Sequence, residues 1–205
     1  MRIGLDFDNT IVCYDAAIAV LAEKLLDLPA EVPRTKLGLR DHLRTTGREP
    51  EWTAFQGVLY GPGMVHAQPF AGAIDTMLQL VEQGHELVII SHRSRRPYAG
   101  EPHDLHAAAR DWVTNHLQVS GLFELKDGCE CLYFLRTKDD KIAKINELSC
   151  NVFLDDLPEL LMAPGLPNTM TKIQFNPSDG IQKNIQKNHY LITHWAQLPK
   201  LVSIL

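Results

Sequence analysis

The sequence predicts an α/β fold on a mainly parallel sheet, and three observations carry that expectation. Short apolar runs alternate with helix-spaced segments along most of the chain. Two of the runs, residues 2–5 and 151–154, stop directly at paired acids, Asp6/Asp8 and Asp155/Asp156. Ligands bind at the C-terminal ends of strands in an open α/β sheet, so acids at both ends fit a site along one sheet edge. Residues 14–68, finally, break the strand–helix alternation with several short helical pieces.

Residues 2–5 are apolar at three of four positions, as suits a strand buried on both faces. Residues 11–28 place Ile11, Tyr14, Ile18, Leu21, Leu25 and Leu28 at helical spacing, and Pro29 and Pro33 end the run. Residues 35–60 read as short helices with polar linkers, closed by the breaker Gly61-Pro62-Gly63. The stretch 14–68 is then either a small helical cap or a layer packed on the sheet edge. A second amphipathic helix carries Ile74, Met77, Leu78, Leu80 and Val81, with Gly84 as its C-cap. The apolar run 86–90 follows and ends at Ser91-His92-Arg93-Ser94-Arg95-Arg96. Strand, helix and strand make a βαβ unit, whose right-handed crossover sets the strands parallel.

Residues 103–117 form a helix with Leu105, Ala109, Trp112, Val113 and His116 on its apolar face; His103 and His106, three apart, could share a metal, but on a surface helix such a pair is more often incidental. A strand over 131–135, a helix over 138–148, a strand over 151–154 and a strand over 172–175 follow. A turn at 176–180 and a helix over 195–205 close the chain.

At 205 residues the chain can bury one core and carry a small accessory domain; 45% hydrophobic and 22% charged residues are ordinary for a globular protein. A formal net charge of −5 argues against nucleic-acid or membrane-surface partners. No apolar run approaches the ~20 residues that span a bilayer, and the start lacks a basic, cleavable leader, so a cytoplasmic protein is expected. Cys13, Cys129, Cys131 and Cys150 are scattered and suggest free thiols, not a disulfide framework or a zinc set.

Asp6-Phe7-Asp8-Asn9-Thr10 is the most informative stretch. Two carboxylates so close at a strand end are costly to bury without a cation or proton between them. A solvated turn with Asp8 or Asn9 capping the next helix is one reading. An EF-hand calcium loop is excluded, because Ile11 stands in its glycine position and Ala17 in its bidentate-glutamate position. A magnesium-dependent phosphoryl-transfer site is the other, since magnesium takes a few carboxylates plus waters and phosphate oxygens. Across the chain four strand or helix ends carry distinct chemistry: Asp6/Asp8, Ser91, Lys138 or Lys141, and Asp155/Asp156.

This arrangement resembles the haloacid dehalogenase (HAD) superfamily, in its aspartyl-phosphate-forming phosphatase branch. Asp6-Phe7-Asp8-Asn9-Thr10 matches its first motif and Ser91 after Ile89-Ile90 its second. Lys141, fourteen residues before Asp155, matches the third, and Phe153-Leu154-Asp155-Asp156 the fourth. The resemblance implies a Rossmann-like three-layer sandwich with a core of 1–13 and 69–205 and a small helical cap of 14–68. It also implies Mg2+ held by Asp6, the Asp8 carbonyl and Asp155, with Asp156 in support. Asp6 would be the nucleophile, Asp8 the general acid and base, and Ser91 and Lys141 the holders of the phosphoryl oxygens. Asp8 favours phosphate over dehalogenase chemistry. Thr10, His92 and Arg93 are candidates for meeting a small phosphorylated metabolite. A phosphotransferase, or a silent relative that binds a phosphorylated ligand or partner, remains the alternative.

Overall fold

The computed structural model describes residues 1–123, 131–178 and 188–205. Cys129 and part of the expected turn at 176–180 lie outside these. In chain order the elements are β1 (Arg2–Leu5), β2 (Val12–Cys13), α1 (Asp15–Leu25), α2 (Lys36–Thr45), α3 (Glu49–Leu59), β3 (Gln68–Pro69), α4 (Ala73–Glu82), β4 (Glu86–His92) and α5 (Leu105–His116). They continue with β5 (Leu132–Leu135), α6 (Lys138–Glu147), β6 (Val152–Asp155), α7 (Pro158–Leu161), β7 (Thr171–Phe175), β8 (His189–Ile192) and α8 (Leu198–Val202).

The chain divides into two compact units. The first, Met1–Val12, Pro69–His92 and His116–Leu205, contains a six-stranded sheet in the order β5-β4-β1-β6-β7-β8. Every neighbouring pair in it is parallel. The chain leaves β1 through β4 to β5 on one side, then returns to build β6, β7 and β8 on the other. Such a reversal opens a crevice beside the first strand, at the C-terminal ends. Register carries the argument to the residue: Leu5 pairs with both Ile89 and Leu154, and the Asp6 N–H donates to the Leu154 carbonyl at 2.9 Å. Asp6 and Asp155, each one residue further on, therefore end adjacent strands.

One sheet face packs Val88, Ile90 and Phe153 against Ile145, Cys150, Leu160, Leu161, Leu166 and Met170. Gly4 pairs with Phe153 on this face, and a Cβ there would stand 2.5 Å from the Phe153 ring and 3.1 Å from Cys150 Sγ. The missing side chain is what lets the ring lie over the central strand. At the other end of the chain the sequence predicts one helix over 195–205. The structure instead has a 3-10 turn, Trp195–Gln197, before α8. Gln197 Oε1 accepts from the N–H groups of Thr193 and His194 at 2.8 and 3.1 Å, and this cap resets the helix start. Fully buried Trp195 donates its indole N–H to the Thr10 carbonyl at 3.1 Å, tying this segment to the loop after β1.

The second unit comprises Cys13–Gln68 and Arg93–Asn115. It holds α1, α2, α3 and α5, with Leu39, Leu43, Trp52, Phe55 and Leu59 buried. Thr35 caps α2 by accepting from the Gly38 N–H at 3.2 Å, and Trp112 on α5 donates to the Ala67 carbonyl at 3.0 Å. The resemblance implies a core of 1–13 and 69–205, which includes 93–115; the structure groups Arg93–Asn115 with Cys13–Gln68. The strands β2 and β3 make a two-stranded sheet of their own, and two of the chain's passages between units fall within them. Among the described residues no helix is long and apolar enough to cross a membrane.

Because no space exists for a larger residue under Phe153, Gly4→Val lowers the free energy of unfolding by about 1–3 kcal/mol, read from urea denaturation. An unchanged midpoint would mean that the Phe153 ring is free to shift.

Candidate active site

The loop after β1 is built to return onto Asp6. The Phe7 carbonyl accepts from the N–H groups of Ile11 and Val12 at 3.1 and 3.0 Å, and Asn9 adopts φ 60°. Asparagine tolerates that left-handed conformation because its short polar side chain bonds locally. Thr10, wholly buried, then donates its hydroxyl to Asp6 Oδ2 at 3.3 Å. Asp8, between them, is half-buried.

Lys141 is delivered by the start of α6. Thr137 is the N-cap: its hydroxyl accepts from the Asp140 N–H at 3.0 Å and its carbonyl from the Lys141 N–H at 3.1 Å. Three residues further on than Lys138, Lys141 turns inward while Lys138 stays exposed. The buried Lys141 ammonium donates to Asp6 Oδ1 and to Asp155 Oδ2, both at 2.6 Å, and lies 5.3 Å from the centroid of the Phe153 ring. Asp155 is wholly buried, and its other oxygen accepts from the Leu157 N–H at 2.8 Å. Asp6, Asp155 and the half-buried Asp156 each offer a ligand atom within 4.8 Å of the others.

The electrostatics follow from burial. Desolvation pushes the Asp6 carboxyl up, the Lys141 ammonium pulls it down, and Asp155 and Asp8 push it up again, leaving it at about 7. Burial opposes the charge of Lys141, but the two carboxylates more than compensate and hold its ammonium above the usual lysine range. Even with that ammonium in contact, Asp6 carries an uncompensated tendency to take up a proton. A hard cation with oxygen ligands answers the same surplus, so the donor set of Asp6, Asp155 and Asp156 fits magnesium.

Ser91, next to last in β4, is buried with its Oγ lacking a hydrogen-bond partner among the described residues. An orphaned buried hydroxyl costs about 1–3 kcal/mol, and a ligand oxygen satisfies it. The other sequence candidates are placed differently. His92 is exposed, and its Nε2–H donates to the Arg136 carbonyl at 2.9 Å. Arg93 is buried inside the helical unit. Its guanidinium donates to the carbonyls of Leu105 at 3.1 Å and Tyr60 at 2.6 Å, and lies 5.4 Å from the Tyr60 ring centroid. Arg95 pairs with Asp104 at 3.1 Å, and the His106 ring bonds the Arg93 carbonyl at 2.9 Å. Sequence reasoning passes over Thr137 and the Leu157 N–H, which orient Lys141 and Asp155; the Thr137-x-x-Asp140 capping pattern is the signal for the first.

The central parallel sheet that reverses at β1 is the fold of solved haloacid dehalogenase-like hydrolases. A haloacid dehalogenase-like hydrolase of Streptococcus pneumoniae is 16% identical, with 98% of this chain and 97% of that one covered at a TM-score of 0.60. YfnB of Bacillus subtilis, assigned as a HAD-hydrolase and bound to magnesium, is 14% identical over 98% and 97%, at 0.61. A HAD family hydrolase of Deinococcus radiodurans with bound phosphate and sodium is 17% identical over 99% and 95%, at 0.55. At such identities the likeness is one of fold. No family model matches the sequence, and no curated protein matches it at a significant level.

Replacing Lys141 by methionine leaves two buried carboxylates facing each other unpaired. The variant loses about 3–5 kcal/mol of stability in metal-free buffer, and adding Asp6→Asn to it restores part of that loss. Additive losses in the double variant, measured by urea denaturation, would contradict the pairing.

Proposed function

We propose that the protein is a magnesium-dependent phosphatase acting on a small phosphomonoester through a covalent aspartyl-phosphate. The observation that carries this reading is the Lys141 ammonium at 2.6 Å from both Asp6 and Asp155, with Asp156 alongside. The phosphate and the magnesium bound by two proteins of the same fold accord with it.

Asp6, Asp155 and Asp156, with the Asp8 carbonyl, would hold magnesium, which neutralises the charge that keeps an anion away from a phosphate ester. An Asp6 oxygen attacks phosphorus, and the P–O bond to the alcohol breaks as Asp8 gives its proton to the departing oxygen. Asp8, now a carboxylate, takes a proton from a water whose oxygen attacks the phosphoryl group. Inorganic phosphate leaves, and Asp6 is regenerated. Lys141 favours the ionised form of Asp6 and orients it, and with the Ser91 hydroxyl it supplies donors for equatorial oxygens as negative charge spreads over them. Asp8 gives the site an acid for an alkoxide leaving group, which halide departure does not need.

Phosphate release from a panel of small phosphomonoesters, with and without magnesium, tests the reading. Wild type turns over with magnesium; Asp6→Asn loses about a thousandfold or more, and Asp8→Asn about 10²–10⁴-fold. Turnover that survives in Asp6→Asn would place the nucleophile elsewhere.

Magnesium itself has a separate readout. Magnesium chloride at a hundredfold excess over its dissociation constant stabilises the wild-type fold by about 2.7 kcal/mol, and Asp155→Asn removes the thermal shift. An equal shift in both proteins would remove Asp155 from the metal site.

A further inference from the structure

The two side chains read as phosphoryl-oxygen donors come from different elements. Ser91 stands at the end of β4, and Lys141 in the first turns of α6. Pairing between β4 and β5 ends at His92 and Leu135. Beyond it the chain leaves the sheet through Arg136 and Thr137 and enters α6. The His92 ring reaches across here: its Nε2–H donates to the Arg136 carbonyl at 2.9 Å. A carbonyl only accepts, so the ring serves as donor. The residue after that carbonyl is Thr137, which caps α6 through its hydroxyl and receives the Lys141 N–H on its own carbonyl at 3.1 Å. A short chain of bonds thus runs from the residue beside Ser91 to the backbone of Lys141.

We propose that His92 is a positioning residue, which sets the spacing between Ser91 and Lys141 by clamping the end of β4 to the N-terminus of α6. The inference rests on the phosphatase reading above. It gives His92 a role that needs no contact with substrate, because its ring is committed to Arg136. Donors must match the geometry of the transferring group more closely than that of the bound ester, so a loosened clamp lowers turnover more than affinity.

The test compares wild type, His92→Ala and His92→Gln on two substrates with a common phosphoryl group, para-nitrophenyl phosphate and a phosphorylated sugar, in saturating magnesium. His92 is exposed, so the alanine variant leaves the core intact. His92→Ala lowers kcat between about tenfold and a hundredfold. Its KM stays within about twofold of wild type, and the loss is equal on both substrates. Glutamine, whose amide can donate to the same carbonyl, restores most of kcat. A loss that falls mainly on KM and differs between the substrates would make His92 a direct ligand and overturn the proposal, as would unchanged kinetics. No phosphate release by wild type on a broad panel would overturn the phosphatase reading, and this inference with it.

Discussion

Two buried carboxylates at the ends of adjacent strands repel each other and resist leaving water, and the Lys141 ammonium between Asp6 and Asp155 is what makes that arrangement tenable. The sheet fixes the acids through register, because the β1–β6 pairing ends at Leu5 and Leu154, each followed directly by an acid, and the Asp6 N–H still bonds the Leu154 carbonyl. The lysine has to come from outside the sheet. Its approach depends on where α6 begins, hence on the Thr137 cap, and on a ring surface at Phe153 that only a glycine at position 4 permits. Several unrelated-looking choices in the sequence thus serve one ion cluster.

The cluster is incompletely satisfied, and its incompleteness is what suggests chemistry. Structural ion pairs bury matched charges with every donor and acceptor used. Here Asp6 remains shifted to about 7 despite its contact with Lys141, and the Ser91 hydroxyl is buried without a partner among the described residues. One feature calls for a cation and the other for an oxygen-rich ligand. The proposed phosphate ester with magnesium would supply both.

Strands β1, β4, β5, β6 and β7 and the acids were legible because they are local: an apolar run followed by paired carboxylates can be read without knowing the fold. Lys138 and Lys141 share one helical turn, so only the cap geometry shows which of them turns inward. Strand β8 escapes a periodicity reading because His189 and Tyr190 mask its pattern at a half-buried edge, and two-residue strands such as β2 and β3 lie below what a pattern can register. Arg93 shows the limit most clearly. A cation after a strand end reads as an anion ligand, yet backbone carbonyls of Tyr60 and Leu105 and the Tyr60 ring take up its guanidinium. Those partners are distant in sequence, as are the contacts that group 93–115 with the helical unit, and no local pattern encodes them.

The measurement that tests the central claim most directly is an acid quench of wild type during turnover of a phosphomonoester, followed by peptide mapping by mass spectrometry. The account predicts one phosphoryl group on the peptide that contains the loop after β1, with fragmentation assigning it to Asp6 and not Asp8. A phosphoryl group on any other residue, or steady turnover with no labelled peptide under conditions that preserve acyl phosphates, would contradict it.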